Sequence, residues 1–211
     1  MIANRRISKS STQRLAVAVG VVLMVASTVT SASEWLVRVG AHSVNPKSDN
    51  HSVVNVDDGQ MLTFDVTYLY TDNWGVEVLA ALPFSHDIRL NANDAKVGDT
   101  KHLPPTVSLQ YHFAPGAKFR PYVGVGVNYT LFFSEDTQGA LAGSKLELDP
   151  SFGLAAQLGA DIALNDDWFV NLDLRWVDID TDATLDGASL GSVEIDPVVF
   201  GLSIGRRFGG R

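Results

Sequence analysis

The 211-residue chain contains no cysteine, which excludes disulfide staples and thiolate metal sites. Its stability must come from packing and backbone hydrogen bonds. Positive charge is also scarce, with 16 Lys and Arg against 24 Asp and Glu, so no basic patch is available for nucleic acid. Neither a glycine-rich phosphate loop nor a spaced HExxH motif occurs. No spacer rich in Pro, Gly or Ser divides the chain, and its length suits a single domain.

What is present begins with an amino-terminal segment unlike the rest. Arg5, Arg6, Lys9 and Arg14 precede an apolar run from Leu15 to Val29, with small residues following at Thr30, Ser31 and Ala32. This order reads as a secretory signal peptide over residues 1–32, cut after Ala32. The run is shorter than the roughly 20 residues a spanning helix needs. Ser8 and Lys9 stand where a twin-arginine signal wants apolar residues. Without the four basic residues of the signal, the mature chain 33–211 keeps 12 basic against 24 acidic side chains, a net charge of −12.

From Trp35 to Phe208 large apolar side chains alternate with small or polar ones, and a period of two means β-strand. Strands are expected near 34–42, 60–70, 74–84, 101–113, 119–133, 150–164, 168–180 and 194–208. The connections alternate strictly. Those at 71–73, 114–118 and 165–167 are short and carry turn residues such as Thr71-Asp72-Asn73 and Ala114-Pro115-Gly116. Those at 43–59, 85–100, 134–149 and 181–193 are long. Eight strands joined this way predict an all-β, eight-stranded antiparallel transmembrane β-barrel, with short periplasmic turns, long extracellular loops and both chain ends periplasmic.

A soluble eight-stranded barrel also alternates, but its outer face would carry Lys, Glu and Thr. Here the second face is mostly small, with Gly124, Gly126, Gly153, Ala155, Gly159, Ala163, Gly201 and Gly205. Glycine in an exposed strand weakens it, whereas inside a narrow barrel it makes room for longer polar neighbours. The apolar face therefore meets lipid. Aromatics gather at the strand ends, with Tyr70, Trp74, Phe113, Trp168 and Phe208 beside the short turns and Phe84, Phe133, Phe152 and Trp176 toward the long loops, as two interfacial girdles.

Several local runs are those of a known family. They include Leu82-Pro83-Phe84 with His86, His102-Leu103-Pro104-Pro105-Thr106, Phe119-Arg120-Pro121-Tyr122-Val123-Gly124, Asn128-Tyr129-Thr130 with Phe132-Phe133, Asp178-Ile179-Asp180-Thr181, and Asp196-Pro197 with Val199-Phe200. Across the whole mature chain the sequence resembles the outer membrane protein W (OmpW) family of small Gram-negative barrels. The family usually ends on its aromatic, whereas Gly209, Gly210 and Arg211 follow Phe208 here. The resemblance implies a location in the outer membrane and the passage of small hydrophobic molecules, with delivery sideways into the membrane. It implies as partners the outer-membrane lipids and lipopolysaccharide, the barrel-assembly machinery and small hydrophobic solutes, with no cofactor and no enzymatic activity.

Function then turns on the inward face. Alternation places Arg38, Asp65, Glu77, Gln110, His112, Gln157, Asp161, Asp173, Arg175 and Arg207 there. Opposite charges in so narrow a lumen must pair, because an isolated ion away from water costs several kcal/mol. Passage would need an apolar stretch nearer the outer end, for which inward-facing Leu69, Leu79, Phe132 and Val177 are the candidates. Leu79 matches an apolar constriction in family barrels, but Arg175 stands where the family resemblance implies an aromatic gate. Arg175 either removes that gate or pairs with an acid such as Glu77 or Asp173. Two readings follow: a narrow channel or binding site for small hydrophobic molecules, or a structural or surface-interaction barrel whose lumen is plugged by charge.

Other chemistry is weaker. Ser85-His86-Asp87 holds three triad residue types, but neighbours on a strand point to opposite faces. His86 and His102 could approach each other across the second long loop, yet they lack a third metal ligand at motif spacing. The acidic loop residues Asp49, Asp57, Asp58, Asp94, Asp99, Glu135 and Asp136 could collect divalent cations between lipopolysaccharide molecules, but solvated surface is the plainer reading.

Overall fold

In a computed structural model of the chain, residues 33–47 and 51–209 are described. Residues 1–32, expected to form a signal peptide, Asp49, Gly210, Arg211 and the side chain of Phe84 lie outside the described residues.

Backbone pairing follows the alternation. In chain order the strands are β1 (Glu34–Asn45), β2 (Val54–Val56), β3 (Gly59–Leu69), β4 (Trp74–Ala81), β5 (Phe84–Leu90), β6 (Lys96–Leu103) and β7 (Thr106–His112). They continue with β8 (Phe119–Thr137), β9 (Leu146–Leu148), β10 (Ser151–Ala163), β11 (Trp168–Val177), β12 (Asp180–Leu185), β13 (Ala188–Glu194) and β14 (Val198–Gly209). Eight of them close a ring in the order β1, β3, β4, β7, β8, β10, β11, β14, with β14 returning to β1, and every pairing is antiparallel. Closure leaves no open edge, which is the condition for backbone to cross a bilayer in strands.

The two faces settle what surrounds the barrel. Outward Phe152, Val125, Leu154 and Leu202 are 70, 65, 61 and 57 % exposed, while inward Arg38 and Glu77 are 1 and 0 % exposed. A water-soluble protein would reverse this distribution. The glycines of the inner face lie against bulky neighbours. A Cβ at Gly201 would overlap Asp173 and His42, and one at Gly159 would overlap Tyr122.

The long connections hold more regular structure than the sequence suggests. The ladders of four strands extend beyond the barrel after short interruptions. Pro83 separates β4 from β5, Pro104 and Pro105 separate β6 from β7, and Pro197 precedes β14. Proline has no N–H to give to a ladder, so pairing stops there and resumes at a new angle. Above the break β6 pairs with β5 and β8, while β12 and β13 form a hairpin flanked by β9. The β12–β13 turn is Asp186-Gly187 with φ of 51° and 81°, the two-residue geometry that Asp-Gly favours. These extensions share an apolar core in which Ile88, Val97 and Leu146 pack with Val54, Leu90, Leu141 and Leu185.

Candidate functional site

The lumen is layered, and inward residues of β1 mark the layers from the short-turn end upward: Leu36, Arg38, His42, Val44. At the short-turn end a cavity of about 810 Å³ opens among Glu34, Leu36, Leu69, His112, Arg120, Asp161 and Arg207. Its inner limit is apolar, with Leu36, Leu69 and Phe169 packed together.

Above this layer two arginines bind four carboxylates. The first centre is Arg38, whose Nη1 donates to Asp65 Oδ1 at 2.8 Å and to Thr67 Oγ1 at 2.9 Å, and whose Nη2 donates to both Asp161 oxygens at 3.3 Å. The register fixes the first contact, since Arg38 sits directly opposite Asp65. The guanidinium also lies 5.6 Å from the ring centre of Tyr122 and 5.4 Å from that of Phe169. Asn171 ties this group to the barrel wall by donating to Asp161 Oδ1 at 2.8 Å and to Tyr122 Oη at 3.0 Å.

The second centre is Arg175. Nη1 and Nη2 clasp Glu77 at 2.8 and 3.0 Å, and Nε donates to Asp173 at 2.7 Å. A bidentate guanidinium–carboxylate pair is the strongest form this contact takes. Asp173 then reaches His42 Nε2 at 3.0 Å, and His42 Nδ1 reaches Thr63 Oγ1 at 2.8 Å. Glu77 joins the two centres, standing 3.9 Å from Arg38 and accepting from Gln157 at 3.2 Å. The lattice therefore runs from β1 and β3 across the lumen to β10 and β11, and each of its six charged members is at most 7 % exposed.

Gln110 and His112 lie beside this lattice. His112 Nε2 meets the Gln110 side-chain oxygen Oε1 at 2.9 Å, and its ring stacks on Tyr122 with ring centres 5.0 Å apart. Arg207 lies below, 3.7 Å from Glu34 and over the Phe169 ring at 5.0 Å.

On the long-loop side of the lattice the lumen turns apolar again. Val44, Met61, Ala81 and Val199 pack together, and Val44, Met61 and Val199 with Leu79, Val177 and Ile179 line a space of about 30 Å³. That leaves room for about one or two waters. A lid of Val56, Val177, Ile179, Ala183, Val193 and Ile195, with Phe132 against it, covers this space. The two cavities share no lining residue. Leu79, Phe132 and Val177 thus gather at the outer end, whereas Leu69 lies at the opposite end of the lumen.

Of the aromatics at the strand ends, Trp74, Phe113, Phe152, Trp168, Trp176 and Phe208 are exposed, and Tyr70 and Phe133 are half-buried. On β5, Ser85 is exposed while His86 is buried, so the Ser85-His86-Asp87 side chains do not converge. His86 and His102 stack with ring centres 4.8 Å apart and planes 3° from parallel. Burial holds the His86 imidazole below the ordinary histidine pKa.

Sequence reasoning placed the charged lumen residues on one face but overlooked His42, Thr63, Thr67 and Asn171, which complete the lattice. Each alternates with an apolar residue of its own strand, so the same period would have found them.

Comparison with known proteins gives concordant results. A model of the OmpW family matches residues 18–208. Outer membrane protein W of Vibrio cholerae is 43 % identical over 192 residues, covering 83 % of this chain and 88 % of its own. The crystal structure of the outer membrane protein OprG from Pseudomonas aeruginosa superposes with a TM-score of 0.75 at 35 % identity, covering 84 % of this chain and 97 % of its own. A more distant relative, the dibenzothiophene metabolism operon protein PahQ of Pseudomonas aeruginosa, is 28 % identical over 194 residues, covering 83 % of this chain and 89 % of its own.

Proposed function

The chain belongs to the OmpW family of outer-membrane proteins, and on that premise we propose that it is a charge-plugged barrel that passes nothing along its axis. The observation that carries this reading is the buried lattice of Arg38 and Arg175 with Asp65, Glu77, Asp161 and Asp173. A solute moving along the axis would have to part these pairs, and breaking a buried pair costs about 3–5 kcal/mol. Eight strands leave an interior that side chains fill, so no second route runs beside the lattice. In this reading the long loops face outward from the cell, both chain ends face the periplasm, and residues 1–32 are removed on export.

A second activity is favoured by one feature, the apolar ring of Val44, Met61, Leu79, Val177 and Val199 above the lattice. One relative takes its name from the metabolism of dibenzothiophene, a flat hydrophobic molecule. A small hydrophobic molecule would bind in this ring once the lid of Ile179, Val193 and Ile195 lifts, and would leave by the side it entered or into the membrane. Liposome swelling tests the plug: vesicles carrying the protein should swell in glycerol no faster than empty vesicles, and faster swelling overturns the reading. Titration with dibenzothiophene tests the ring. Wild type should bind it and Leu79→Arg should weaken binding about tenfold, the scale of placing a charge in an apolar pocket. Equal binding by both removes the ring as the site.

A further inference from the structure

The ring above the lattice is not apolar all the way round. Five consecutive barrel strands give it greasy side chains, Val177 of β11, Val199 of β14, Val44 of β1, Met61 of β3 and Leu79 of β4. The other three give it polar ones, Thr106 and Ser108 of β7, Asn128 of β8 and Gln157 of β10. Its wall is thus an apolar arc closed by a polar arc. Arg175 lies below both, and all three of its nitrogens already donate to Glu77 or Asp173.

Within the polar arc, Asn128 Nδ2 donates to Thr106 Oγ1 at 2.9 Å and to the Pro105 carbonyl at 3.2 Å, while its Oδ1 accepts from Thr130 Oγ1 at 2.7 Å. Gln157 is not satisfied in this way. Its Nε2 donates to Glu77 Oε2 at 3.2 Å, and because an ionised carboxylate only accepts, that contact fixes which end of the amide is nitrogen. Oε1 is left over. It is buried without a hydrogen-bond partner among the described residues, on a residue only 7 % exposed. A buried acceptor that has lost its hydration and gained no donor is destabilising, and a ligand that brings a donor relieves it.

We propose that Gln157 Oε1 selects the ligand of this ring, which is a neutral hydrophobic molecule bearing a hydroxyl group, with its body on the apolar arc and its O–H donating to Gln157. This deepens the reading of the ring as a binding site and rests on it. A bare hydrocarbon or an ether brings no donor. A carboxylate would stand over four carboxylates that share two guanidiniums. An ammonium would carry its charge against the apolar arc.

The probes are 2-naphthol, 2-methoxynaphthalene and naphthalene, which share one ring frame and differ in whether they can donate. Each would be titrated by fluorescence against wild type and Gln157→Met in detergent micelles, so that partition into the micelle cancels between the two proteins. Gln157→Met should weaken 2-naphthol about fivefold more than either other ligand, the scale of one neutral hydrogen bond. Losing the donation to Glu77 would move all three ligands together, so the selective loss isolates the oxygen. If Gln157→Met does not refold, Gln157→Asn withdraws the oxygen by one methylene and should show the same selective loss. Wild type binding all three ligands, with the variant weakening them equally or not at all, overturns the hydroxyl proposal and leaves the ring as a site. No binding of any of the three to wild type overturns the ring itself, and the proposal with it.

Discussion

Arg38 and Arg175 carry two positive charges among four carboxylates, those of Asp65, Glu77, Asp161 and Asp173. The imbalance makes the arginines the costly members to lose. Arg38→Met leaves Asp65 and Asp161 facing each other without a cation, and should destabilise the barrel by about 3–5 kcal/mol. Asp65→Asn keeps a hydrogen-bonding partner for Arg38 and removes one surplus negative charge, so it should cost less. Urea unfolding in detergent micelles checks the order, and an Asp65→Asn cost equal to that of Arg38→Met would show that charge balance does not rule the lattice. At this scale the sequence was legible through alternation, which aims side chains but does not give distances. Arg175 had Glu77 and Asp173 as possible partners, and the structure pairs it with both.

Pairing elements tell a second story. The eight barrel strands were legible because each has one greasy and one small or polar face. Their extensions were not, since β5, β6, β12 and β13 lie among charged and polar residues that read as loops. The Asp186-Gly187 pair is the exception, a hairpin signal in plain view within 181–193. The extension around His86 is pH-sensitive. Its imidazole is held neutral by burial, so its contribution to stability is complete above the free-histidine value near 6.5 and erodes as the pH falls below it. Protease applied to intact cells should cut within 43–59, 85–100, 134–149 or 181–193, and cutting at 85–100 should be faster at pH 5 than at pH 7.5. A rate independent of pH would remove His86 from the account. Cleavage confined to 71–73, 114–118 or 165–167 would invert the orientation.

For the whole molecule, one pattern sets both location and transport. The exposed apolar face suits a lipid surround, the family places the barrel in the outer membrane, and the small residues opposite that face give the lumen room for a charged lattice. Fold and family were readable because both rest on periodicity and short local runs. Whether the lumen is open was not, because it depends on pairs such as Arg175 with Glu77, which are 98 residues apart in sequence. The most direct measurement is conductance across a planar lipid bilayer, for wild type and for a variant combining Glu77→Ala with Arg175→Ala. The account predicts no unitary conductance steps from wild type and steps from the double variant, whose shortened side chains open the axis between the two cavities. Steps of the same size from both proteins would contradict it.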